Sequence, residues 1–206
     1  MTIEEQIRDI ARNYSNALQT KVQDRVAEME SDDKSHYLIY RVLGITIEEG
    51  DLIDVYQNKG RFLYRYAGSF LEHATKACFE TEYPDAKSLR IPNTIDQRPK
   101  TFGIDLLIEN RAYEIKWRDA TTDGDHITKE HTRIRAVAQA GFTPVRLMYF
   151  SPNRDQAMRI QAAIHDLYKA NNGLYYSGDE AWKHLEQTTG VDLFTILEDI
   201  AAEKSK

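Results

Sequence analysis

The sequence has little cysteine and no long apolar run, and both absences restrict the class of protein. Its 206 residues include one cysteine, Cys78, which excludes an internal disulfide and is typical of a reducing cytoplasm. No run of about 18 apolar residues occurs, so we predict no transmembrane helix and no membrane partner. The first residues lack a basic region followed by an apolar stretch, so we expect no secretory signal and a cytoplasmic location.

Internal repeats and low-complexity linkers are also absent, which favours one domain over residues 1–206. The hydrophobic fraction of 41% is enough for a sizeable core. Within this domain we predict a helical part over 1–60, a core over 61–175 and C-terminal helices over 176–206.

The negative charge of the chain is distributed unevenly. The net charge is −6, but residues 61–175 carry 17 basic and 14 acidic residues. Residues 1–60 and 176–206 are both acidic. A locally basic surface between acidic flanks is compatible with contact to phosphate groups, although chance unevenness would give the same counts.

Apolar residues at helical spacing predict eight helices. Thr46 and Glu49 have the spacing of a capping box, and Asn58–Gly60 reads as the end of a helix. A segment with three prolines, 84–100, is predicted to be a loop, as is 173–178. The predicted helices cover 3–30, 34–43, 46–58, 62–81, 127–140, 152–170, 178–187 and 190–204.

Three strands are predicted among these helices. Residues 101–117 form two apolar-rich runs around Glu109-Asn110, which is typical of a hairpin, and Thr143–Phe150 is a third apolar run. The order of elements predicts an α/β fold, with a central mixed β-sheet flanked by helices and with helical additions at both ends.

The hairpin brings chemically active side chains together. If Glu109 and Asn110 form a two-residue turn, Asp105 lies opposite Glu114, and Lys116 shares the face of Glu114. Opposed carboxylates destabilise a sheet, and a hard divalent cation between them would relieve that repulsion. The lysine could then steer or activate a water molecule beside the cation. A solvated hairpin face with a cross-strand ion pair is the alternative.

The same residues resemble the PD-(D/E)xK nuclease superfamily. The matching positions are Ile104-Asp105 and Glu114-Ile115-Lys116, with Ile104 where the superfamily usually has proline. The segment from Tyr113 to His131 looks like bacterial type II restriction endonucleases of the ApaLI-like group. The resemblance to the superfamily covers residues 62–150.

This resemblance implies a Mg²⁺-dependent enzyme that cuts double-stranded DNA at a short palindromic site and leaves a 5′-phosphate. Asp105, Glu114 and the Ile115 carbonyl would hold Mg²⁺, and Lys116 would act on the attacking water. Glu72, on the helix before the hairpin, would support the metal or its water; an ordinary surface pair with Lys76 is the alternative. Restriction enzymes that read palindromes are commonly homodimers, so we expect a homodimer.

The loop after Lys116 begins at the catalytic edge of the sheet, so we predict that it contacts DNA. Arginine, carboxylate and threonine side chains suit base edges, and basic residues suit phosphates. A solvated loop and an ordinary charged helix are the alternative. The candidate DNA contacts are Arg98, Lys100, Arg118, Asp119, Thr121, Thr122, Asp123, Asp125, His126, Lys129 and Arg133.

Other functions remain open at this stage. A structure-selective nuclease would share the chemistry, and a catalytically silent DNA-binding module would share the fold. The long charged loop argues against the first, and intact Asp105, Glu114 and Lys116 argue against the second. Asp123, Asp125, His126 and His131 could form a separate metal site, although their spacing matches no usual zinc pattern.

Overall fold

The computed structural model describes residues 1–96, 98–118 and 124–204, with side chains from 127 onward in the last range. Seven helices and five strands are present in these ranges. In chain order they are α1 Ile3–Glu30, α2 Tyr37–Val42, α3 Ile47–Glu82, β1 Lys87–Pro92, β2 Thr101–Ile108, β3 Arg111–Arg118, α4 Gly124–Gln139, β4 Thr143–Phe150, α5 Asp155–Ala170, β5 Leu174–Ser177, α6 Asp179–Thr189 and α7 Leu193–Lys204.

The five strands form one mixed sheet in the order β1-β2-β3-β4-β5. β2 is antiparallel to both β1 and β3, whereas β4 is parallel to β3 and β5 is parallel to β4. This confirms the predicted α/β fold with a central mixed sheet between helices. The two-residue turn is also confirmed, because Ile108 pairs with Arg111.

The chain divides into two compact units. One comprises Met1–Ile7 with Leu71–Lys206 and contains the sheet, and the other comprises Arg8–Phe70 and is helical. Inside the helical unit, the Arg25 side chain donates a hydrogen bond to Asn58. None of the helices in the described ranges has the length and apolarity needed to cross a membrane. One domain over 1–206 with a core from residue 61 stays a prediction.

Both faces of the sheet are covered by helices. On one face, the ring of Tyr113 lies 4.9 Å from that of Phe79 on α3, and Tyr149 lies 4.2 Å from Trp182 on α6. On the other face, α4 and α5 pack together through a cluster of buried residues. That cluster contains Ile134, Ile160, Ile164 and Tyr168. Because side chains alternate along a strand, the even-numbered residues Glu114 and Arg146 point toward α4 and α5.

Three local predictions were wrong. The predicted helix end at Asn58–Gly60 is absent, since α3 continues to Glu82, and the Asn58 side-chain amide donates to the Asp54 carbonyl at 2.9 Å within the helix. The predicted loops at 84–100 and 173–178 contain the strands β1 and β5. Both are edge strands, and β1 buries only Ile91, so the apolar alternation that reveals a strand is weak there.

Candidate active site

Asp105 lies at an irregularity in the sheet. The β1–β2 register shifts by one residue between Lys87 and Leu89, so Asp105 and Leu106 lie opposite Ser88, which is the arrangement of a β-bulge. The Ser88 hydroxyl donates to the Asp105 carbonyl at 2.6 Å. The bulge lies at Asp105 itself, and the alternation of buried even-numbered residues along β2 continues on both sides of it.

The Asp105 carboxylate lies against β3. Its Oδ2 accepts a hydrogen bond from the Ile115 backbone N–H at 2.9 Å. The paired residues of β2 and β3 end at Leu106–Tyr113, one step before the predicted pairing of Asp105 with Glu114. The two carboxylates nevertheless interact electrostatically. Burial, and then the negative charge of Glu114, raise the pKa of Asp105 to about 7.

Glu114 differs from Asp105 because both of its oxygens have cationic partners. The residue is buried, its Oε1 is 2.6 Å from Lys116 Nζ, and its Oε2 accepts a hydrogen bond from Arg133. Burial acts to raise the pKa of Glu114, but the charges of Arg133 and Lys116 outweigh it and hold the pKa below its usual value. Asp105 is therefore easily protonated, whereas Glu114 is held in its ionised form.

Lys116 lies beside the carboxylate pair, with its Nζ 2.6 Å from Glu114 Oε1. Burial acts to lower the pKa of Lys116, but the adjacent Glu114 outweighs it and raises the pKa above the usual value. The ammonium group is thus positively charged at neutral pH in this site.

Arg133 lies inside the protein, and this corrects the prediction that it contacts DNA phosphate. Its side chain is 12% exposed and is held by Glu114 and by Glu130 Oε1, the latter at 2.7 Å. It also donates to the Tyr168 hydroxyl at 2.8 Å. A guanidinium engaged by two buried carboxylates is not available to a phosphate on the surface.

Arg146 extends this arrangement into β4. The side chain is fully buried, and its NH1 donates to Glu130 Oε1 at 2.9 Å. The Tyr168 hydroxyl donates to the same carboxylate oxygen at 3.0 Å. We refer to Glu130, Arg133, Arg146 and Tyr168 as the buried charge network. It joins α4, β4 and α5 behind Glu114.

Sequence reasoning missed the bulge and most of this network, although one signal was visible. Arg146 is a single charge in the apolar run Thr143–Phe150, and a fully buried charge is rare without a partner. Glu130 and Arg133, three residues apart on one predicted helix, could have supplied that partner. The shift at Ser88 had no comparable signal, since β1 itself was not predicted.

Glu72 on α3 is close enough to affect Asp105, but it has its own partner. Its carboxylate pairs with Lys76 Nζ at 2.6 Å, as the alternative interpretation predicted. Its negative charge also makes a small contribution to the raised pKa of Asp105. The functional assignment of Glu72 therefore stays a prediction.

The remaining candidate DNA contacts divide into exposed residues and residues that are not described. Arg98, Lys100, Arg118 and Lys129 are exposed. Arg118 ends β3, two residues after Lys116. The other candidates lie outside the described part of the chain: Asp119, Thr121, Thr122 and Asp123 altogether, and Asp125 and His126 for their side chains.

Oxygen ligands for a cation are available at the hairpin. Among the described residues, no group of three or more His, Cys, Asp or Glu side chains is placed to hold a metal ion. The set that fits is smaller: the Asp105 and Glu114 carboxylates, with the backbone carbonyl of Ile115, whose N–H donates to Asp105. Hard oxygen donors suit a divalent cation such as Mg²⁺, which keeps several waters and needs few protein ligands.

The fold and this site define a restriction-endonuclease-like core: a mixed sheet whose hairpin carries two carboxylates and a lysine. The sequence profile of the ApaLI-like restriction endonuclease family matches residues 1–202. The chain belongs to this family, whose members are type II restriction endonucleases that act on DNA and generally use a divalent metal ion. No curated protein and no solved structure gave a significant match.

Proposed function

We propose that this protein is a Mg²⁺-dependent type II restriction endonuclease that hydrolyses double-stranded DNA at a short, specific, palindromic site. The observation that carries the proposal is the meeting of Asp105, Glu114 and Lys116 on the hairpin of a chain in this family. Membership supports a nuclease acting on DNA; the metal and the kind of site are our inference from these residues.

Each residue of the site has a distinct task. Asp105, Glu114 and the Ile115 carbonyl would hold Mg²⁺, and Glu72 would support the metal or its water. Bound Mg²⁺ supplies a Lewis acid that stabilises charge on the phosphate and on the leaving oxygen. Lys116, whose charged ammonium group is fixed beside Glu114, would orient the attacking water. The expected product carries a 5′-phosphate.

DNA contacts would come from the exposed residues around the end of β3. Arg118 and the segment after it, through Asp119, Thr121, Thr122, Asp123, Asp125 and His126, would read base edges. Lys129, Arg98 and Lys100, all exposed, would contact phosphates and fix the position of the duplex.

A homodimer is the assembly that suits a palindromic site, because two-fold protein symmetry then matches two-fold DNA symmetry. The helical unit supports this, since many of its large apolar residues are exposed. Contiguous exposed apolar residues often mark a protein interface. On α2 and the first half of α3 they are Leu38, Ile39, Val42, Ile47, Leu52, Ile53, Tyr56, Leu63 and Tyr64.

Incubation of the protein with Mg²⁺ and plasmid, phage or branched DNA tests the proposal. Discrete fragments from plasmid and phage DNA are expected, with no product when EDTA removes the metal. Cutting confined to branched DNA would show a structure-selective nuclease, and binding without cutting would show a silent module. Sedimentation of the same sample should give twice the chain mass of 23.8 kDa.

Lys116→Ala is expected to reduce cleavage by about 10²- to 10⁴-fold while Mg²⁺ and DNA still bind. The lysine acts on the water, whereas the carboxylates and the carbonyl hold the metal. Single-turnover cleavage and separate binding titrations measure the two effects, with the exposed Lys183→Ala as control. An equal loss of Mg²⁺ affinity and rate would show that the lysine belongs to the metal site instead.

Arg118→Ala and Lys129→Ala should have different effects on DNA binding. If Arg118 contacts a base, its loss costs roughly 1–3 kcal/mol on the cognate site and little elsewhere. If Lys129 contacts a phosphate, its loss weakens binding to every sequence and lowers the salt slope by about one. Binding titrations on cognate and unrelated duplexes at several salt concentrations compare them. Uniform effects from both would place base reading in another segment, first of all 84–100.

A further inference from the structure

We infer that Arg133 is a positioning residue, which fixes the Glu114 carboxylate in the orientation that a divalent cation requires. The inference rests on the proposed function, because it assumes that Glu114 is a metal ligand. It assigns to α4 a part in catalysis that is separate from DNA contact.

The contact between Arg133 and Glu114 is well suited to this task. Glu114 has its two oxygens held from different sides, Oε1 by Lys116 on the same strand and Oε2 by Arg133 on α4. Two donors on two oxygens fix the rotation of the carboxylate plane. A carboxylate has about four lone-pair sites, so two remain for a cation and its water.

Arg133 is itself held rigidly. Its NH2 donates to Glu130 Oε1 at 2.7 Å and to the Tyr168 hydroxyl at 2.8 Å, while NH1 is directed at Glu114. The guanidinium is planar, so fixing one edge on Glu130 also fixes the direction of the NH1 donor. Glu130 in turn accepts from the fully buried Arg146. The orientation of Glu114 is therefore set by contacts from α4, β4 and α5.

A lysine at position 133 would not reproduce this geometry. It keeps the positive charge, but its ammonium group cannot reach Glu114 and Glu130 with two fixed, coplanar donors. Because the charge is conserved, any change in metal binding reports the loss of orientation and not a change in the local potential. Groups that orient metal ligands typically contribute about 10- to 100-fold in metal affinity or activity.

The experiment compares Arg133→Lys with Arg135→Lys, the same change two residues further along α4 at an exposed position. For Arg133→Lys we expect kcat at saturating DNA to fall about 10- to 100-fold and the Mg²⁺ concentration for half-maximal rate to rise about 10-fold. KM for DNA should stay within about two-fold of wild type, since the side chain is buried. Arg135→Lys should behave as wild type.

Calorimetric titration with Mg²⁺ alone separates this inference from the proposed function. Wild type that neither binds Mg²⁺ nor cuts DNA refutes the proposed function. If wild type binds Mg²⁺ and cuts DNA, and Arg133→Lys has the same kcat and Mg²⁺ affinity, only the role of Arg133 is refuted. A rise in KM with unchanged kcat also refutes it, because that is the signature of a DNA contact.

Tyr168→Phe provides a second test in case Arg133→Lys does not fold, which circular dichroism would reveal. This change removes only the hydroxyl that accepts from Arg133 and donates to Glu130. We expect a smaller fall in kcat, about three- to ten-fold, with a parallel rise in the Mg²⁺ requirement. Wild-type values of both would overturn the inference.

Discussion

Replacement of Asp105 by asparagine is expected to abolish Mg²⁺-dependent cleavage, a loss of at least about 10³-fold, while the fold is retained. The amide keeps the size of the side chain, and its oxygen can still accept the Ile115 N–H. It lacks the charge that would hold a divalent cation beside Glu114. Cleavage of plasmid DNA measures the loss, and wild-type rates from this variant would end the metal-site hypothesis.

Wild type and Asp105→Asn should differ in how the free energy of unfolding depends on pH when EDTA is present. The pKa of Asp105 is about 7 in the folded protein, against a usual value of 3.8. Between these values the folded state binds the proton that the unfolded state has lost, so the free energy of unfolding falls as pH rises. Urea unfolding from pH 4 to 7 should show this fall in wild type, and Asp105→Asn should lack that contribution.

Glu130→Gln is expected to lower the free energy of unfolding by about 3–5 kcal/mol, the usual cost of removing one partner from a buried ion pair. Glu130 is 6% exposed and neutralises both Arg133 and Arg146. Arg133 keeps Glu114, but Arg146 is fully buried and loses its carboxylate. Urea unfolding measures the change, with the exposed Glu186→Gln as control.

A double variant distinguishes an unpaired charge from a general packing defect. Glu130→Gln combined with Arg146→Met removes both members of the pair, and a buried pair replaced by apolar groups is often tolerated. We expect the double variant to be more stable than Glu130→Gln alone. Additive losses would show that the two residues contribute independently, and that the pairing is not what makes Glu130 necessary.

The hairpin could be predicted from sequence because its signals are local. Apolar runs on either side of Glu109-Asn110 define the turn, and strand alternation then places Glu114 and Lys116 on one face. The same register brings Asp105 close to Glu114. The bulge opposite Ser88 could not be predicted, because a bulge depends on the partner strand, here β1.

Arg133 shows why the rest of the site could not be predicted. A basic residue on a charged helix that follows a predicted DNA-binding loop usually lies in solvent. Its actual environment depends on Arg146 and Tyr168, which follow it by 13 and 35 residues and reach it only through the packing of β4 and α5. The sequence pattern within one helix carries no information about partners that are distant along the chain.

The buried charge network also constrains how this enzyme can diverge. Exchange of Glu130 alone removes the carboxylate that pairs with the fully buried Arg146, so that single step passes through a weakened intermediate. Homologous chains that have replaced Glu130 should therefore have replaced Arg146 as well. Arg118 and Lys129 are exposed, so these positions can change while the support behind Glu114 stays fixed.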